Sequence, residues 1–395
     1  MEQYNRYNVL IFKRIIRRNM QFKCFILFLI FLFFNSCITQ FVPQTNEDKQ
    51  LLVVEGLITD QPVVNTIKLS RSLPLGTRNM ANPVNGSIVS ISDDLGNTYF
   101  LSETYSGTYV TDPALFKGEI GRKYSLHIKT NTLNHNYNYE SLPVEMKPVP
   151  PIDSVYYERK EISQTEGIPN QEGCQVYLNT HDPANACKYF RWEYTETWEF
   201  HIPYQVVNRV CWISNNSSTI NIKNTSVFDQ DKIERFPLLF ISNLTDRLKV
   251  KYSMLVNQYS LTEDEYLYWG KLQNMSEQVG GLYDMIPSGI PSNVYCIDNP
   301  SEKVLGYFSV SASSSKRLFI NDHFAGIYTQ YTNDKCITDT IYGNGIIPYL
   351  NLGVWILYNN PLPPPGERVI TNIKGCADCS VRGTTIEPDF WNEGK

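Results

Sequence analysis

The spacing of apolar positions changes character four times along the chain. Residues 24–34 read CFILFLIFLFF, an unbroken apolar run. From residue 51 to about 146 the pattern becomes short alternating runs, at 52–58, 66–70, 87–92, 98–101, 107–110 and 123–128. Period two marks a strand with one face on a core. Asp94-Leu95-Gly96-Asn97 supplies a turn between two of these runs and predicts a hairpin. Roughly seven short strands within about 95 residues predict an immunoglobulin-like β-sandwich over 51–146.

The alternation stops at Lys147-Pro148-Val149-Pro150-Pro151-Ile152-Asp153. Prolines at this density favour polyproline II, so 147–153 is read as a semi-rigid linker between domains. Beyond it, residues 189–200 alternate again. One face carries Phe190, Trp192, Tyr194, Trp198 and Phe200, interrupted by Glu196. The other carries Tyr189, Arg191, Glu193, Thr195, Thr197 and Glu199. This predicts a long strand with one buried and one wet face, a core strand rather than a ligand platform.

One segment has helical spacing. Thr262 and Glu265 form a capping box, and Glu263 and Asp264 suit the positive end of a helix. Leu261, Tyr268, Leu272, Met275 and Val279 share a face, and Gly280-Gly281 ends the pattern. A helix near 262–279, packed on a sheet, is expected. Residues 303–310, 317–321 and 352–358 read as further strands and 361–365 as a loop. The expected fold class is mainly β: an N-terminal immunoglobulin-like β-sandwich, then a second, larger β-sandwich-type domain over 154–395 with one prominent α-helix.

Composition supports this. A chain of 395 residues suggests two or three domains. Its 26 Tyr, 19 Phe and 22 Pro favour sheets over helices, and 42% hydrophobic with 19% charged residues is globular rather than disordered.

The first apolar run has a different meaning. A membrane-spanning helix needs ~20 apolar residues, and 24–34 falls well short. With Lys23 in front it reads as the core of a signal peptide over 1–36. Phe34-Asn35-Ser36-Cys37 resembles the box cut by lipoprotein signal peptidase, where the thiol takes a diacylglycerol thioether. Cys37 is therefore the expected lipidation site, and 37–50, with Pro43, the lipidated tether. Three acyl chains anchor stably where one is marginal. Met20 opens a compact leader of its own, so the start is open between Met1 and Met20. Residues before Cys37 carry Arg6, Lys13, Arg14, Arg17, Arg18 and Lys23 against Glu2. Removing that net +5 from the formal −5 leaves the mature chain near −10. Such a charge argues against nucleic acid and against docking on anionic lipid.

Seven cysteines follow Cys37. Outside the cytoplasm they favour disulfides, and an odd count leaves at least one unpaired. The expected pairs are Cys211 with Cys296, and Cys336 with Cys376 or Cys379; Cys174 with Cys187 is a third. Cys376-Ala377-Asp378-Cys379 also admits a redox pair or half a zinc site with His323 and Cys336, but it lacks the helix start or second ligand pair those need. His127, His135, His181, His201 and His323 sit in no catalytic motif, and no Gly-rich phosphate loop occurs. Glu193, Glu196 and Glu199 are the carboxylates a glycoside hydrolase would pair, though solvated strand residues are the commoner reading. Asp153-Ser154-Val155 and Asp339-Thr340-Ile341 resemble short O-glycosylation sites. No catalytic residue, cofactor or metal is expected.

Several blocks together resemble a known family: LLVVEGLITDQPVVNTIKLSRS, KPVPPIDSVYYE, YFRWEYTETWEF, VKYSMLVNQYSLTEDEYLYWGKL, EKVLGYFSVSASSSKRLFI and CADCSVRGTTIEPDFW. Their order, from Leu51 to Trp391, resembles the domain-of-unknown-function family 4249 of Bacteroidetes lipoproteins. The resemblance implies no enzymatic activity. It implies an outer-membrane lipoprotein that accompanies a TonB-dependent transporter and captures or hands over a nutrient. Surface-exported lipoproteins of that group carry acids just after the lipidated Cys; residues 38–42 hold none, which leaves the leaflet open. A structural or adhesive module is the alternative, and a hydrolase a third.

Overall fold

The computed structural model describes residues 50–72, 82–131, 136–163, 170–277, 290–321, 323–327, 336–342, 345, 347–350, 352–359 and 366–393. The leader, Cys37, Val279 to Gly281 and the loop at 361–365 lie outside the described residues. The described chain is mainly β with one long helix, Glu263–Glu277. No described helix is long and apolar enough to cross a membrane.

Two six-stranded sheets form the first sandwich. One holds Leu52–Thr59, Thr66–Arg71, Asn82–Pro83, Ser102–Tyr105, Thr108–Val110 and Val304–Ser311. The other holds Ile88–Asp93, Thr98–Phe100, Lys123–Lys129, Asn138–Ser141, Val144–Glu145 and Val294–Cys296. Val54, Ile67 and Leu69 from the first meet Val89, Ile91 and Leu126 from the second in one core. Each such side chain, fully buried, contributes ~1.5–3 kcal/mol. The expected hairpin forms: Asp93 N donates to Asn97 O at 3.0 Å, and Gly96 takes a φ of +87°, which glycine adopts without steric cost.

The expected division of the chain at 147–153 needs one correction. Val304–Ser311 lies parallel to Leu52–Thr59, and Val294–Cys296 pairs antiparallel with Asn138–Ser141. Two strands from within 154–395 therefore complete the first sandwich. Parallel neighbours require a long crossover, and here most of the second sandwich lies inside it. Local periodicity carries no trace of such a pairing.

The second sandwich packs Ile152–Ile162, Gln171–Asp182 and Asp231–Ser242 against a five-stranded sheet. That sheet holds Tyr189–His201, Val210–Asn216, Asn221–Asn224, Lys251–Ser260 and Ser313–Ile320. Phe190, Trp192, Trp198 and Phe200 face Val176, Leu178 and Ile241 in its core. The outer face of Tyr189–His201, expected to be wet, is partly roofed. Arg191 is 5% exposed and Thr197 2%. The helix covers one end. The tail covers the other, where Trp391 donates its indole N–H to Glu199 Oε2 at 3.0 Å and meets Trp212 and Phe319 edge-on. A fifth sheet, of three strands, holds Thr338–Tyr342, Trp355–Asn359 and Glu367–Thr371.

Two disulfides hold the tail: Cys211–Cys379 and Cys336–Cys376. The second is one of the expected pairings. The expected Cys211–Cys296 bond does not form, because Cys211 lies in the core of the second sandwich and Cys296 in that of the first. Cys174, Cys187 and Cys296 are buried and not disulfide-bonded, which also removes the third expected pair. The two cysteines of the C-x-x-C bond to separate partners, not to each other.

The linker is docked rather than free. Proline-rich extended backbone makes no internal hydrogen bonds, and its carbonyls take donors from the second sandwich. Lys147 O accepts from Ser260 Oγ at 2.6 Å, Pro150 O from Gln258 Nε2 at 2.8 Å, and Pro151 O from Thr180 Oγ1 at 3.2 Å. Gln258 is fully buried, and its Oε1 accepts from Trp192 Nε1 at 2.8 Å.

Gly306 makes the parallel pairing possible. It sits opposite Val54 with a φ of +84°, and a β-carbon there would collide with the Val54 carbonyl. Gly306→Ala should lower stability by ~3–5 kcal/mol. Gly96→Ala, with a similar φ but open space around it, should cost only ~1–2 kcal/mol. Urea unfolding of both variants measures the difference; equal losses would remove the steric role of Gly306.

Candidate functional site

The helix Glu263–Glu277 positions a cavity that combines a buried charge with convergent polar groups. It starts as its sequence requires: Thr262 Oγ1 accepts from Glu265 N at 3.3 Å. The second half of the expected capping box is absent. Glu265 turns inward and is fully buried, where Ser309 Oγ donates to its Oε1 at 2.6 Å and Trp269 Nε1 at 3.1 Å. Two donors outcompete the single backbone N–H of Thr262. Glu265 Oε2 has no hydrogen-bond partner. Burial raises the Glu265 carboxyl above its ordinary range, and the Arg191 charge offsets part of that rise.

The buried stripe of the helix also differs from expectation. Glu265, Tyr268, Trp269 and Leu272 face inward, while Met275 is exposed. Tyr268 packs on Tyr307 of the first sandwich with ring centroids 4.7 Å apart, and Tyr266 on Tyr189 of the second at 5.3 Å. Trp269, oriented by its bond to Glu265, lies on Arg191. The guanidinium carbon is 4.3 Å from the Trp269 ring centre and 5.2 Å from that of Tyr259. Stacking between two rings fixes a side chain that is otherwise rich in rotamers. Burial, with Glu193 beside it, pushes the Tyr259 hydroxyl up to about 12.

Arg191 and Glu193 are two residues apart on one strand, so they share a face. Their Nη1 and Oε1 atoms are 3.3 Å apart, and Arg191 Nε is a buried donor without an acceptor. Next to this pair is a cavity of about 160 Å³. Its remaining lining is Trp192, Ser217-Ser218-Thr219-Ile220-Asn221 and Trp269. The wall is fixed from both sides. Ser217 N donates to Tyr194 O at 2.7 Å, and Gln273 Nε2 of the helix donates to Ile220 O at 2.8 Å. Asn221 Nδ2 donates to Thr219 Oγ1 at 3.2 Å. Strand, loop and helix thus form a pre-shaped polar recess.

The carboxylates named for hydrolysis do not converge. Glu196 faces the core side, bound to Arg247 at 2.9 Å and Tyr252 Oη at 3.0 Å. Glu199 is at the tail end, 2.6 Å from His201 Nε2 and 3.0 Å from Trp391 Nε1. Glu193 alone reaches the cavity. His181 Nδ1 lies 2.7 Å from Asp153, and His127 Nε2 lies 2.7 Å from Ser92 Oγ. His135 and the side chain of His323 lie outside the described residues. Cys336, the other partner named for zinc, is in a disulfide, and the described residues contain no cluster of metal-ligating side chains. Trp269 and the 217–221 wall leave no signal in the periodicity. Arg191 on a face of hydroxyl and acidic residues is the one visible hint.

Comparison with known families covers this region. A family described as a domain of unknown function (DUF4249) matches residues 38–317. The chain belongs to the DUF4249 family. The DUF4249 match contains Arg191, Glu193, the 217–221 wall and the whole helix. It ends before the small sheet and the tail, so the closing block CADCSVRGTTIEPDFW lies outside it, contrary to expectation. No curated protein matches the chain.

The raised Glu265 carboxyl has a defined pH signature. The folded state holds a proton that the unfolded chain releases near its ordinary value of ~4.3, so stability falls as pH rises above that value. Glu265→Gln keeps an acceptor for Ser309 and Trp269 and cannot ionise. Relative to wild type, the variant should gain stability as pH climbs from about 4.3 through the raised folded-state value of Glu265. Thermal unfolding across that range is the check; a gap that shrinks or stays constant with pH contradicts the assignment.

Proposed function

We propose that the chain is an exported lipoprotein, anchored to the outer membrane through acyl chains on Cys37. In this reading it is a non-catalytic companion of a TonB-dependent transporter in nutrient capture. The observation that carries the anchor is the eleven-residue apolar run closed by Asn35-Ser36-Cys37. It is too short to span a bilayer and ends on a thiol suited to thioether formation. The DUF4249 match opens at residue 38, next to that thiol, which supports maturation there.

The partner contact is best supported in the segment beyond the family match. Tyr342, Ile347, Leu352, Trp355, Ile356 and Tyr358 are each more than a third exposed there. Exposed aromatic and aliphatic groups of this density supply interface energy.

Growth with an alkyne-tagged palmitate, followed by membrane fractionation and cross-linked pull-down, tests the reading. Wild type should carry the label, sediment with the outer membrane and retain a TonB-dependent transporter. Cys37→Ala should lose label and sedimentation together. An unlabelled, freely soluble wild type overturns the anchor; a labelled wild type that captures no transporter overturns the companion role.

A further inference from the structure

We propose that the cavity beside Arg191 binds one ring of a neutral, polyhydroxylated ligand, either a free monosaccharide or the terminal residue of a glycan. This deepens the nutrient-capture reading and rests on it for its biological use.

Charge balance selects the ligand class. Arg191 and Glu193 are in contact at 3.3 Å, so they present a donor and an acceptor side by side with no net charge. An anion would gain from Arg191 and be repelled by Glu193; a cation would meet the reverse. A zwitterion would have to separate the pair, leaving Arg191 buried beneath Trp269 with its partner lost. A hydroxyl needs neither. It accepts from the guanidinium and donates to the carboxylate without breaking their contact, and two adjacent hydroxyls can divide those roles.

The remaining walls fit the same chemistry. Ser218, Thr219 and Asn221 add short polar groups, and Ile220 and Trp269 add apolar surface. Sugars present both kinds of surface, C–H patches and hydroxyl edges. Arg191 is 5% exposed and lines the cavity. It is clamped between Tyr259 and Trp269, so its geometry is set before binding and little ordering entropy is lost. Size limits the occupant. The cavity of about 160 Å³ is below the ~300 Å³ at which drug-sized pockets begin, so it takes one ring and not a chain.

Isothermal titration calorimetry of the purified full chain tests this without membrane or transporter. The probes are glucose, galactose, mannose and N-acetylglucosamine, with maltotriose and cellotriose as glycan ends. Glucuronate, galacturonate and glycine are the charged controls. At least one neutral sugar should bind at least tenfold tighter than every charged control. Glu193→Gln removes the charge beside buried Arg191, so its melting temperature falls while its circular dichroism stays that of the folded chain, and it should lose at least tenfold in affinity. A trisaccharide that binds tighter than its monosaccharide assigns the site to a glycan end; equal affinity assigns it to the free sugar. No binding by any neutral probe overturns the proposal, as does equal binding of a charged control or an unchanged Glu193→Gln variant. Such a failure leaves the acyl label on Cys37 and the transporter pull-down untouched, so the two readings fail separately.

Discussion

The structure depends on one extended segment that belongs to both sandwiches. Val304–Ser311 completes a sheet of the first, Ala312 is fully buried at the crossing, and Ser313–Ile320 completes a sheet of the second. Every backbone group along it needs a partner, and the partners come from both bodies. Thr59 opposes Ser311, Ala312 O accepts from Ser260 N at 3.3 Å, and Asp60 Oδ1 accepts from Ser313 N at 2.8 Å. The proline linker runs beside this crossing and is tied to Gln258 and Ser260. Neither sandwich can part from the other without stripping strands from a sheet and the linker carbonyls from their donors on Gln258 and Ser260, which costs ~1–3 kcal/mol for each buried polar group stranded.

The cavity is a consequence of that crossing. Ser309, on the shared segment, receives Glu265, and Glu265 orients Trp269, which seats Arg191. The helix therefore rests on both bodies, with Tyr307 under one side and Tyr189 under the other. Its place over the outer face of Tyr189–His201 follows from the fusion of the two sandwiches and not from a stripe of aliphatic residues. This explains why Met275, at the spacing of a core position, faces solvent.

How much of this was legible in the sequence follows from physical range. Features encoded within ten or twenty residues are readable: the Asp94-Leu95-Gly96-Asn97 hairpin, the alternation at 189–200, the Thr262 cap. Features encoded by distant contacts are not. The parallel pairing of Leu52 with Val304 leaves no local pattern, and Lys251–Ser260, buried on both faces, shows too little alternation to be singled out. Disulfide pairing obeys the same limit, since Cys211 and Cys379 meet across a separation of 168 residues. Of the cavity, only Arg191 and Glu193 on an otherwise hydroxyl-rich face were visible. The loop and the indole that enclose them are brought there by the crossing segment.

Native-state hydrogen exchange tests the fusion most directly. Amides of Lys123–Lys129, deep in the first sandwich, and of Gln171–Asp182, in the second, are held by separate sheets. If the crossing segment joins the bodies as described, both sets exchange through one global opening, with the same free energy and the same dependence on denaturant. Two distinct opening energies, with one sandwich exchanging while the other stays protected, would contradict it.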